Sequence, residues 1–205
     1  MRGEMTAELT EDDLPPDPIA LVQRWFDDAR AAGVEQHDAM TLATAAPGGR
    51  PAARAVLLKG IDARGFVFFT NYESRKGREL DANPYAALML LWIPLQRQVR
   101  VSGPVERLSA DESDAYFATR PRGSQLAAWA SQQSRPLADR AELEARWADL
   151  ETRYAGGDVP RPPHWGGYRL APDEIEVWQG RANRLHDRFA YVRSGERWTH
   201  ERLQP

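Results

Sequence analysis

The chain has 205 residues, 42% hydrophobic and 28% charged, with a formal net charge of −3. That suffices for a sizeable core and excludes wholesale disorder, and the mild acidity excludes a general nucleic-acid binder, which needs a basic footprint. The absence of cysteine excludes disulfides, thiol nucleophiles, zinc–thiolate sites and iron–sulfur clusters, and the four dispersed histidines lack ligand spacing, so no metal is expected.

Residues 1–16, polar and acidic, read as a flexible N-terminal tail without an apolar signal core, and 17–205 as a single domain. The longest apolar run, 86–95, is too short to cross a bilayer and contains Pro94; a soluble, cytoplasmic protein that binds no membrane is expected. Asp17 as N-cap and Pro18 at the first helical position open a helix that Gly33 stops. Ile19, Val22, Trp25, Phe26 and Ala29 share one of its faces. Three strands in meander spacing follow, at 39–45, 53–59 and 66–70, joined by the Pro47-Gly48-Gly49 turn and a turn ending at Gly65. A short helical crossover over 74–84 leads to a strand pair, 86–92 and 97–108. In the second, Val99, Val101 and Val105 face one way and Gln98, Arg100 and Ser102 the other.

Ser109 and Glu112 form a capping box ahead of a helix through Arg120. A helix within 137–154 carries Leu143, Trp147, Leu150 and Tyr154 as a stripe expected to pack in the core, and ends at Gly156-Gly157. Strands at 174–179, 188–193 and 197–203 close the chain, the last two as a hairpin around Ser194-Gly195. The pattern is α+β: an antiparallel barrel with helices packed on one side.

Three segments concentrate chemistry. Ser74, Arg75, Lys76 and Arg78 lie at a helix start, where free N–H groups and the helix dipole favour an anion such as phosphate. A solvated basic turn is the plainer reading of this segment alone. Tyr116 and Arg120, four apart, share a helix face, and Ser124 follows in the turn after Pro121; these donors also suit phosphate, or form an ordinary cationic helix end. Lys59, ending a strand of Val and Leu, is a third partner or an edge lysine. In WQGRANRLHDRF (178–189), an extended backbone would put Arg184, His186 and Arg188 on one face, toward a polar planar substrate. Gln98 and Gln133-Ser134 say little alone. Two anion-binding clusters and an Arg/His pair between aromatics suggest two phosphorylated, planar ligands in one site.

The blocks RAVLLKGIDARGFVFFTNYESRKGRELDANP, ERLSADESDAYFATRPRGSQLAAWASQQS and WQGRANRLHDRFAYVR closely resemble the pyridoxine/pyridoxamine 5′-phosphate oxidase family, from about Asp17 to the closing ERLQP. The resemblance implies an antiparallel six-stranded split β-barrel and a homodimer with two FMN sites at the subunit interface. It implies oxidation of pyridoxine or pyridoxamine 5′-phosphate to pyridoxal 5′-phosphate by oxygen, releasing hydrogen peroxide. Carried over, FMN contacts fall on Arg54, Lys59, Phe69, Thr70, Arg75, Lys76, Gln98, Gln133, Ser134, Trp178 and Arg188. Substrate contacts fall on Lys59, Tyr116, Arg120, Ser124, Arg184 and His186, the last two forming the catalytic pair that orients the reacting ring. A related oxidase of phenazine-type biosynthesis shares the flavin motif; the phosphate set Tyr116, Arg120 and Ser124 distinguishes the two. A non-catalytic flavin- or vitamer-binding barrel is disfavoured because Arg184 and His186 are both present.

Overall fold

The computed structural model describes residues 8–205, so the first seven residues of the expected tail lie outside the described residues. Helix α1, Pro18–Ala31, begins where the Asp17 side chain accepts from the Ile19 amide. It buries Ile19, Leu21, Val22, Trp25 and Ala29 in the core. Strands β1 (Ala39–Ala45), β2 (Pro51–Asp62), β3 (Gly65–Asn71), β4 (Tyr85–Trp92), β5 (Arg97–Arg107) and β6 (Trp165–Leu170) close into an antiparallel ring. The ring order is β4-β1-β2-β3-β6-β5, with β5 returning to β4. Inward residues such as Leu42, Phe66, Phe68, Leu88, Leu90, Val99 and Val101 fill it, as a small barrel requires.

Strand β5 serves two structures. It pairs with β4 along its length to Pro104, with β7 (Glu174–Gln179) over 97–102, and hands over to β6 at Val105. Strands β7, β8 (Asp187–Ser194) and β9 (Arg197–Arg202) therefore leave the barrel as a flange. Strand β6 is the strand that sequence patterning misses. Every residue in it is buried, so no alternation is visible, and Gly166-Gly167 depress strand propensity. Both glycines are required by space: a Cβ on Gly166 would stand 2.0 Å from Tyr72 Oη, and one on Gly167 would stand 2.5 Å from Leu108 Cδ1.

Helix α2 (Arg75–Ala82) is the crossover from β3 to β4, while α3 (Ala110–Ala118), α4 (Arg122–Ala130) and α5 (Arg140–Arg153) fill the β5–β6 connection. These last three surround a second, smaller core of Phe117, Leu126, Val159 and Trp165. Trp147, Leu150 and Tyr154 are only partly buried against it, so the α5 stripe covers this cluster rather than entering the barrel core. The Ser109–Glu112 capping box forms as expected. The helix expected through Arg120 instead ends at Ala118. Pro121, whose fixed φ suits a helix entry, caps α4 and places Ser124 in its first turn. Residues 8–16 are not a free tail either. Leu9 is 5% exposed in the core, Glu11–Asp13 form a 3-10 turn, and Tyr191 Oη donates to the Pro15 carbonyl at 3.2 Å. One leucine and a few tertiary bonds hold this acidic segment, which composition alone cannot reveal. Among the described residues no helix is long and apolar enough to cross a membrane.

Candidate active site

A cavity of about 430 Å³ joins residues from both expected anion clusters: Lys59, Thr70, Lys76 and Gln133 line it together with Phe69, Tyr116 and Arg120. Lys59 lies at an irregularity of β2, where the register with β3 shifts between Leu58 and Gly60. Asp38 accepts from Lys59 Nζ at 2.7 Å and fixes its position. Phe69 and Tyr116 stack at 3.8 Å and 14°, and Phe69 and Trp165 at 5.5 Å and 12°, making an aromatic wall. The Arg120 guanidinium lies 4.5 Å from the Trp165 ring centroid, and its Nη1 is buried without a hydrogen-bond partner among the described residues. Burial pulls its pKa below the ordinary arginine value. A buried cationic donor left unpaired is costly, so this atom is suited to an anion from outside the chain.

Lys76 stands at the other end of the chemistry. Its buried ammonium donates to Thr70 Oγ1 at 3.0 Å and Gln133 Oε1 at 3.1 Å. Burial first, and then the neighbouring Arg54 charge, lower its pKa to about 8. Its place is set by the start of α2, where Ser74 Oγ accepts from the Gly77 amide. Gly77 allows that turn to close, since a Cβ there would stand 2.0 Å from the Tyr72 carbonyl oxygen.

Arg54 and Arg75 do not line the cavity; both bind the buried Glu79, at 3.0 and 2.8 Å. Thr44 Oγ1 also donates to Glu79, at 2.5 Å. Burial raises the Glu79 pKa, but the bonds from Thr44, Arg75 and Arg54 outweigh it and hold the carboxyl below its ordinary range. One carboxylate between two guanidiniums leaves this side of the site positive. Glu79 and Asp38 are the residues sequence reading missed, because isolated acids carry no local signal of their partners.

The remaining expected residues lie elsewhere. Gln98, Trp178 and Arg188 form one row across β5, β7 and β8. Arg188 makes two bonds to Glu176, at 2.9 and 3.0 Å. Arg184 and His186 sit in the loop between β7 and β8, and that loop is not extended. Ala182–Arg184 form a 3-10 turn with Asn183 at φ 58° and Arg184 at φ 62°, and β8 begins only at Asp187. The expectation that Arg184, His186 and Arg188 share one strand face is therefore corrected. The His186 ring is 4.6 Å from that of Trp178. Its Nδ1 accepts from the Arg181 amide at 3.0 Å, so the proton of the neutral ring belongs on Nε2, available to a ligand. None of these residues, Gln98 on β5 or those of the flange, lines the cavity of the same chain, and Ser124 and Ser134 also lie outside its lining.

A closed six-stranded barrel with a flange defines the split-barrel class, here with an aromatic-walled cavity lined by the cationic Lys59, Lys76 and Arg120. The family described as Pyridoxamine 5′-phosphate oxidase matches residues 26–154, and the Pyridoxine 5′-phosphate oxidase C-terminal dimerisation region matches 165–205. The chain belongs to the pyridoxamine 5′-phosphate oxidase family. Relatives named pyridoxine/pyridoxamine 5′-phosphate oxidase from Rubrobacter xylanophilus and Burkholderia multivorans are 61% and 58% identical to it. The matches cover 100% and 97% of this chain and 95% and 94% of those proteins. Among solved structures, PhzG from Burkholderia lata 383, in complex with tetrahydrophenazine-1-carboxylic acid, matches with a TM-score of 0.93. It is 39% identical, with 99% of this chain and 100% of that one covered.

Proposed function

We propose that this chain oxidises pyridoxamine 5′-phosphate and pyridoxine 5′-phosphate to pyridoxal 5′-phosphate, with FMN as resident cofactor and oxygen as electron acceptor. The observation that carries the reading is Arg120: its Nη1 is buried with no hydrogen-bond partner among the described residues, in the same cavity as Lys59 and Tyr116, fit for a substrate phosphate. Lys76, Thr70 and Gln133, with Arg54 and Arg75 behind them, fit the phosphate end of FMN. When bound, FMN supplies a two-electron acceptor beside the substrate's 4′-carbon. The substrate loses two electrons and two protons, one hydrogen from that carbon and one from its hydroxyl or amino group; oxygen becomes hydrogen peroxide, and the imine from the amine substrate takes up water and releases ammonia. Lys59, Tyr116, Arg120 and Ser124 would hold the substrate by its phosphate, turning binding energy into alignment. Arg184 and His186 would cover the outer face of its ring.

Because Gln98, Trp178, Arg184, His186 and Arg188 lie outside their own chain's cavity, they are assigned to the cavity of a second copy in a homodimer. The match of 165–205 to a dimerisation region supports this, as do the exposed Leu57, Tyr85 and Leu91 on barrel strands. Mixing and refolding Lys59→Ala chains with Arg184→Ala chains tests it. Half of a random mixture is hybrid dimers with one intact site each, so about a quarter of wild-type activity returns. No recovery refutes the shared site.

The likeness to PhzG favours a second reading, a ring substrate bearing a carboxylate, which Arg120 could also bind. The purified protein decides: it should take up FMN, and its visible absorbance should bleach when pyridoxamine 5′-phosphate is added without oxygen. A protein that binds no FMN refutes both readings; bleaching only by a reduced phenazine carboxylic acid selects the second.

A further inference from the structure

The loop between β7 and β8 contains two consecutive non-glycine residues at positive φ, Asn183 and Arg184. Such a backbone persists only where its surroundings impose it. The strongest restraint is Asp187, the residue after His186. Its buried carboxylate takes Arg202 Nη1 at 2.9 Å, the Leu9 amide at 3.2 Å and Arg181 Nη1 at 3.5 Å. Arg202 in turn holds Glu11 through two bonds of 2.9 Å, and Arg181 lies 3.7 Å from Glu8. Leu9 seats this N-terminal segment in the core. Arg181, whose side chain meets Asp187, is also the residue whose amide donates to His186 Nδ1. One carboxylate thus links the N-terminal segment, strand β9 and the loop that carries Arg184 and His186.

We propose that Asp187 and Arg181 are positioning residues: they hold the 180–186 loop in the form that presents Arg184 and His186 to the substrate, with residues 8–13 as a strap across it. The role of those two side chains rests on the proposed function; the restraint on the loop does not. Asp187→Asn keeps an acceptor for the Leu9 amide but removes the charge that draws both arginines. Arg181→Gln removes one of those arginines, and Arg181→Lys restores its charge.

Hydrogen exchange on the full-length dimer reads the loop directly. Amides in 180–186 should exchange about tenfold faster in Asp187→Asn and Arg181→Gln, near the wild-type rate in Arg181→Lys, and unchanged in β1–β5. Steady-state kinetics should show KM for pyridoxine 5′-phosphate raised about tenfold, kcat changed less, and FMN content intact. Unaltered loop exchange overturns the proposal. So does faster exchange throughout the barrel with loss of flavin, which makes Asp187 a general stabiliser. If the wild-type protein oxidises neither vitamer, the functional reading falls, and loop exchange alone decides the restraint.

Discussion

Replacing Arg120 by methionine should change two free energies in opposite directions. In the ligand-free protein, Arg120 Nη1 is buried with no acceptor among the described residues, an arrangement that costs about 1–3 kcal/mol. Its stacking over Trp165 returns about 0.5–1 kcal/mol, and a methionine thioether against the ring keeps much of that. The ligand-free variant should therefore be more stable than wild type by about 1 kcal/mol. With a phosphorylated substrate, the same change removes a charge-assisted bond of about 1.5–3 kcal/mol, a fall in kcat/KM of about ten- to 150-fold. Urea denaturation at one fixed protomer concentration reads the first effect, since dimer stability depends on concentration. The second is read by comparing pyridoxine 5′-phosphate with unphosphorylated pyridoxine, whose turnover should hardly change. A destabilised ligand-free variant, or equal losses on the two substrates, would refute a guanidinium held for phosphate.

Lys76 titrates near 8 when folded against its ordinary 10.5, so the folded, ligand-free protein binds fewer protons than the unfolded chain between those values. Its stability should rise across pH 8 to 10.5, and denaturation profiles of Lys76→Met should lack that rise. A phosphorylated ligand that needs the ammonium should lose up to about tenfold in affinity per pH unit above pH 8, measurable by titrating apoprotein with FMN. Gly77→Ala forces a Cβ toward the Tyr72 carbonyl and should cost about 1–3 kcal/mol in urea denaturation while weakening FMN retention. Glu79→Gln strips a carboxylate from Arg54, Arg75 and Thr44; with Arg75 57% exposed, the expected loss is about 2–3 kcal/mol at neutral pH. Because the Glu79 pKa is lowered by folding, its contribution is present above 4.5 and lost as pH falls further, so the deficit should narrow in acid.

What the sequence revealed depended on whether the signal was local. Turn signals and meander spacing placed β1 to β3, and alternation supported β5; a proline, a capping box and glycine stops placed α1, α3 and α5 to within a few residues, while α4, entered through Pro121, went unread. Strand β6 was hidden because it is buried on both faces and contains two glycines demanded by Tyr72 and Leu108, neither adjacent in sequence. Clustered cations pointed to Lys76 and Arg120, which do share a cavity. Their anionic counterparts were invisible. Asp38, Glu79 and Asp187 look like any surface acid until the fold brings Lys59, Arg54 and Arg202 to them. The extended reading of 184–188 failed for a similar reason. No local signal marks the left-handed turn at Asn183 and Arg184, or the distant contacts of Leu9 and Arg202 with Asp187 that flank it.

The late position of β6 in the chain has a consequence during synthesis. The barrel ring is closed by 165–170, but β3 and β5, which flank that gap, have already been made when the ribosome begins the stretch 108–164. At typical elongation rates those edges wait roughly 3–12 s before their partner emerges. Unpaired strand edges are sites of intermolecular pairing. Helices α3 to α5, translated during that interval, can become ordered while the barrel is still open. Nascent chains stalled before residue 165 should be the aggregation-prone species, and release past 170 should restore solubility.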